Sequence, residues 1–167
     1  MKLLSQKGFT LIELLIAVVV LAIVIATAAP SFTRMIDNNR VTTTANDFGA
    51  SLALAKSEAV KRSGGVKMVA SGGDWDAGYT IGVDANSDGD FADTGEVTLK
   101  VVDAPHNSVS VTSALTSIEF NMLGGTADTG SLVFDVPCPR DVCSRTITIS
   151  SSGVYTMQKE SGACECP

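Results

Sequence analysis

The 167-residue chain has one histidine, His106, one tryptophan, and only 5% aromatic residues. A lone histidine removes the side-chain pairings on which most hydrolases and zinc enzymes depend, and no nucleophile motif stands in for them. No catalytic residue is assigned, and the chain is expected not to be an enzyme. Basic residues are also scarce, 12 against 18 acidic, for a net charge of −6. Non-specific nucleic-acid affinity comes from clustered Lys and Arg. The one local basic group, Lys56, Lys61, Arg62 and Lys67, reads as a solvated helix end, so no nucleic-acid partner is expected. Cysteine is absent until Cys138, Cys143, Cys164 and Cys166. Their C-x4-C and C-x-C spacing fits zinc modules poorly, and an even count points to disulfides in an oxidising compartment.

A long apolar run occurs once, from Phe9 to Ala29, 21 residues and enough to span a bilayer. It carries a single charge, Glu13, which at a helix centre in hydrocarbon costs about 2.5–3.5 kcal/mol. A secretory signal would use Lys2 and Lys7 as its basic region and Ala26-Thr27-Ala28 as its cleavage site. A signal core rarely holds a carboxylate, however. A plain transmembrane helix, with Lys2 and Lys7 on the cytoplasmic side, leaves Glu13 unexplained. A cut after Gly8 accounts for it, because Phe9 then becomes a free ammonium four residues before Glu13.

Gly8-Phe9-Thr10-Leu11-Ile12-Glu13 resembles the type IV pilin signature. The resemblance implies that a prepilin peptidase removes residues 1–8, that Phe9 is N-methylated, and that the apolar segment is retained. In a filament of parallel helices, Glu13 of one subunit can meet the Phe9 ammonium of its neighbour, an attraction that low dielectric strengthens. The alternative is that Glu13 pairs with its own Phe9 terminus before assembly.

Beyond the apolar run, Pro30 is expected to kink or open the helix. Helical patterning resumes with Val41, Ala45, Phe48, Leu52, Ala55 and Ala59 at steps of four and three, one face of a helix that Gly64-Gly65 stops. That stripe predicts packing against the chain's own sheet rather than a coiled-coil seam. Residues 9–29 are thus read as a transmembrane and filament-core helix, 30–63 as an amphipathic helix, and 64–167 as a head. The head shows short strands punctuated by Gly, Asn, Asp and Ser: 66–70, 78–83, 97–102, 108–112, 117–120, 131–135, 145–150 and 154–158. No helical period separates them, so antiparallel sheets are expected, giving an α+β fold.

Ala55 to Arg62 resembles the corresponding segment of the GspH/FimT branch of minor pilins and pseudopilins, which includes FimU-like pilins and H-type pseudopilins. So do Trp75 and Gly78-Tyr79 ahead of the strand Thr80 to Val83, and the acidic loop from Asp84 to Glu96. The branch packs antiparallel sheets beside a long helix. Some of its members capture DNA through a Gly-Arg-x-Arg element. The equivalent turn here, Gly153-Val154-Tyr155-Thr156, has no arginine.

Within the acidic loop, Asp84, Asn86, Asp88 and Asp90 place oxygen donors at alternate positions around Gly89, as in the first half of an EF-hand loop. The twelfth position is Gly95, and Glu96 comes one residue late. A turn between strands is therefore the expectation and no metal is assigned, calcium at Asp84, Asn86, Asp88, Asp90 and Glu96 being the one candidate cofactor. Near the C-terminus, a turn at Ser151-Ser152-Gly153 predicts that opposed residues have numbers summing to about 304. Nested bridges Cys138–Cys166 and Cys143–Cys164 strain that register least, with Cys138–Cys164 and Cys143–Cys166 close behind. Each would stabilise the head by about 3 kcal/mol.

The functional expectation is a minor type IV pilin that helps initiate or cap pilus assembly, with an H-type minor pseudopilin of type II secretion as the alternative. A DNA-capturing minor pilin is the third reading. The implied partners are major and minor pilins or pseudopilins, the prepilin peptidase and an inner-membrane assembly platform. The expected location is the inner membrane, crossed once with a cytoplasmic N-terminus, and then an extracellular pilus or periplasmic pseudopilus.

Overall fold

The computed structural model describes residues 9–86, 88–136 and 144–160, and gives only the helical path of 28–30. One helix, α1 (Leu11–Arg62), precedes eight strands. These are β1 (Val66–Ala70), β2 (Gly78–Val83), β3 (Val97–Asp103), β4 (Ser110–Ser113), β5 (Ser117–Phe120), β6 (Gly130–Asp135), β7 (Ser144–Ile149) and β8 (Tyr155–Glu160). They form two antiparallel four-stranded sheets, ordered β3-β2-β1-β5 and β4-β6-β7-β8. The expected α+β class is observed. Helix α1 runs on through Pro30, where a kink or opening is expected, without a break in the helix, and Gly8 and the four cysteines lie outside the described residues.

The chain divides into two units at Ile36/Asp37. In the first, every described side chain from Phe9 to Ile36 is exposed. Apolar residues surround this part of the helix rather than lining one face, so it has no side to bury within the chain. It is long and apolar enough to cross a membrane.

The second unit buries the predicted stripe. Val41, Ala45, Phe48, Leu52, Ala55 and Ala59 are all buried among residues of the two sheets. Phe48 sits at the centre, its ring centroid 5.2 Å from Trp75, 5.2 Å from Tyr79 on β2 and 5.5 Å from Phe134 on β6. Edge-to-face and tilted contacts of this kind add to the roughly 1.5–3 kcal/mol that burying such a side chain contributes. Behind them Met68, Ile81, Ile118, Leu132 and Ile147 close the core from both sheets. Trp75 stands on a 3-10 turn, Trp75–Ala77, and donates its ring N–H to the Leu115 carbonyl.

Helix α1 ends where expected, but by a different residue. Ser63 adopts φ +65°, and Gly64 N donates to Ala59 O at 2.7 Å, the long bond of a Schellman cap. Strand bounds differ from expectation mainly at β4, which begins at Ser110 because residues 106–109 form a turn closed by Val109 N to His106 O at 2.7 Å. The β7–β8 register runs from Ser144↔Glu160 to Ile149↔Tyr155, so each pair sums to 304 as predicted.

Candidate functional site

At the start of α1, Thr10 and Glu13 bond to each other in both directions. Glu13 Oε2 accepts from Thr10 N at 3.1 Å and from Thr10 Oγ1 at 3.0 Å, while Glu13 N donates to Thr10 Oγ1 at 3.3 Å. This is a capping box, in which the first orphan N–H groups of a helix and a carboxylate satisfy one another. The carboxylate also lies at the positive end of the helix macrodipole. Phe9, next to the box, is exposed. The Thr-x-x-Glu spacing was visible in the sequence, where the charge of Glu13 drew the reading toward an ammonium partner instead.

The second constellation is the loop between β2 and β3. Asp84 follows the last residue of β2 and is buried, with its backbone N–H bonded to Gly65 O at 2.8 Å. Its Oδ2 accepts from Lys67 Nζ at 3.2 Å and from Gly89 N at 3.0 Å. Asn86 Nδ2 bridges Asp88 Oδ2 at 2.9 Å and Asp93 Oδ2 at 2.8 Å. Hydrogen bonds from the Asp90 N–H and from Asn86 hold the Asp88 carboxyl below its ordinary range. Glu96 reaches back to accept from Ala85 N at 3.0 Å and Asp93 N at 3.2 Å. One oxygen each of Asp84, Asp88 and Glu96 lie within 4.8 Å of one another, and Asp90 falls in a separate exposed group with Asp88 and Asp93. The extra residue that broke the linear EF-hand count is therefore absorbed by the loop, which returns Glu96 to Asp84.

The model of the family described as type II transport protein GspH matches residues 44–153, more than half of the chain. The chain belongs to the GspH family. A prokaryotic N-terminal methylation motif matches residues 3–29. The fold is similar to the crystal structure of the type IV minor pilin FimU of Pseudomonas aeruginosa, strain PAO1, with a TM-score of 0.63 and 19% identity. That match covers 78% of this chain and 97% of the other. No curated protein matches the sequence. As a GspH-family chain it is a structural subunit of the minor pilin and pseudopilin class rather than an enzyme. Membership implies contact with other pilins and with assembly machinery, and the methylation motif with its apolar helix indicates membrane anchoring.

The basic group of this GspH-family chain is engaged at each position. Lys56 Nζ donates to the carbonyls of Ser152 at 3.1 Å and Gly153 at 3.2 Å, holding the β7–β8 turn. Lys61 and Arg62 both bond Glu58, at 2.7 and 3.0 Å, and keep its carboxyl below the ordinary range. Lys67 takes Asp84. The helix-end reading therefore holds for Lys61 and Arg62, whereas Lys56 and Lys67 serve the head.

Proposed function

We propose that the chain is a minor type IV pilin, a structural subunit that helps initiate or cap pilus assembly. One observation carries the reading: a helix with every described side chain exposed up to Ile36, beginning in a carboxylate closed onto its own Thr10. An apolar surface of that extent is stable against lipid or against like helices, not against water. In the inner membrane the helix spans once, with its N-terminus cytoplasmic. After cleavage between Gly8 and Phe9 and methylation of Phe9, Glu13 exchanges Thr10 for the ammonium of a neighbouring Phe9 as the subunit joins the filament. The capping box supports this order of events, because it satisfies the carboxylate before the neighbour arrives.

Two variants separate charge from capping. Glutamine serves at the third position of a capping box but carries no charge. Both Glu13→Gln and Glu13→Ala are expected to be cleaved normally and to enter sheared filaments about tenfold less, equivalent to about 1.4 kcal/mol. Wild-type incorporation of Glu13→Gln would overturn the charge-exchange reading.

An H-type minor pseudopilin of type II secretion is the second reading, favoured by the description of the matching family. Deletion of the gene distinguishes them: lost piliation with intact secretion supports the pilus, and the reverse replaces it. The nested bridges Cys138–Cys166 and Cys143–Cys164 belong to the pilin reading. They rest on a register whose premise, the sum of 304, holds in β7 and β8. Peptide mapping of the non-reduced chain checks them.

A further inference from the structure

The β2–β3 loop holds five carboxylates within thirteen residues, from Asp84 to Glu96. Acidic turns are common, and most are explained by their own backbone bonds. Asp84 is not. Its side chain is 2% exposed, and while Oδ2 has two donors, Oδ1 is buried with no hydrogen-bond partner. A buried ionised oxygen without a donor is among the most costly groups a fold can hold.

A cation bound at this carboxylate would relieve it. Carboxylate oxygens of Asp84, Asp88 and Glu96 lie within 4.8 Å of one another. Oxygens on opposite sides of a calcium ion, each about 2.3–2.6 Å away, are about that far apart. Three carboxylates less the charge of Lys67 leave two negative charges, which one divalent ion neutralises. The loop is also held ready. Gly89, the sixth residue from Asp84, takes φ +91° and turns its N–H onto Asp84 Oδ2. Phe91 packs its ring against Gly82, a place where any Cβ would collide with it.

We propose that Asp84, Asp88 and Glu96 bind one calcium ion on the head, with Asn86 and Asp93 orienting Asp88 from outside. Oxygen donors alone, with no sulfur or imidazole, select a hard cation. An irregular loop suits calcium rather than magnesium, which demands near-octahedral geometry and gives up its waters reluctantly. The site is independent of the filament reading, since it involves only residues 67–96.

The test uses the full chain in detergent micelles, stripped with chelator and titrated with calcium by calorimetry and by thermal unfolding. Expected are one-to-one binding with Kd of about 10⁻⁴ to 10⁻³ M, a rise in Tm, and neither effect with magnesium at the same concentration. Asp84→Asn and Glu96→Gln are each expected to weaken binding by about tenfold or more, with Asp93→Asn nearly unchanged. Should Asp84→Asn fail to fold, the half-buried Glu96→Gln decides. No calcium binding by the wild type overturns the proposal, and so does wild-type affinity in Glu96→Gln. Loss in Asp93→Asn alone also overturns it, moving the ion to the exposed Asp88, Asp90 and Asp93.

Discussion

The two halves of α1 belong to one helix and have opposite surroundings. Up to Ile36 the apolar residues run all the way round and none of the described ones is buried; from Asp37 one stripe, Val41, Ala45, Phe48, Leu52, Ala55 and Ala59, is buried, while Val60 on another face stays exposed. Each half has a carboxylate that follows suit. Glu13 is exposed and bonds its own Thr10, whereas Asp37 is 1% exposed and pairs with Arg40 at 3.3 Å. Hydropathy by itself does not say that a segment is core. A stripe marks a surface that the chain covers with its own sheets, and an all-round apolar surface marks one that something outside the chain must cover.

The sharpest way to break this comparison is to delete matched side chains from each half. Phe48→Ala should cost the head about 3–5 kcal/mol, because three aromatic rings lose their shared contact. Leu21→Ala, in the exposed half, should leave that unfolding transition in place. Urea unfolding of the full chain in micelles reads both, and equal losses would erase the distinction. A smaller effect belongs to the end of the buried half, where Ser63 holds φ +65°. Ser63→Gly removes the left-handed penalty and should stabilise by about 1 kcal/mol; a Tm below wild type would mean the Ser63 side chain contributes more than its strain costs.

The smallest effect concerns charge inside the head. Burial, and then the nearby Asp76 carboxylate, push the Asp135 carboxyl above its ordinary range. The folded state therefore binds this proton more tightly than the unfolded chain. Its contribution is fully present below the unfolded pKa, about 3.9, and is lost as pH rises through the folded value. Asp135→Asn should raise Tm at neutral pH and leave it unchanged near pH 3, so the two melting curves converge on acidification. Curves that stay parallel across that range would remove Asp135 as the source.

What the sequence made legible was local. The stripe from Val41 to Ala59 depends on helical period alone, and β1, β2 and β5 stand at their expected bounds because Gly, Asn and Ser punctuate them. The 304 register follows from one tight turn. What was hidden depends on distant pieces of chain meeting. Lys67 reaches Asp84 only because β1 and β2 pair as Val66↔Val83 and Lys67↔Gly82. Glu96 joins Asp84 only because the loop absorbs a residue that linear counting treats as an error. The Phe48 cluster draws on a helix, a 3-10 turn and both sheets. The Thr10–Glu13 box is the exception, a local signal passed over because a more costly feature, charge in hydrocarbon, explained the same glutamate.

The order of strands carries one more consequence. β4 lies in the second sheet and β5, which follows it, in the first, so neither sheet is a contiguous stretch of chain. No single cut separates the two sheets whole: ending the chain after β3 leaves the first without its β5 edge, and starting it at β6 leaves the second without β4. The head cannot be shortened sheet by sheet, and it should melt in one cooperative step rather than two.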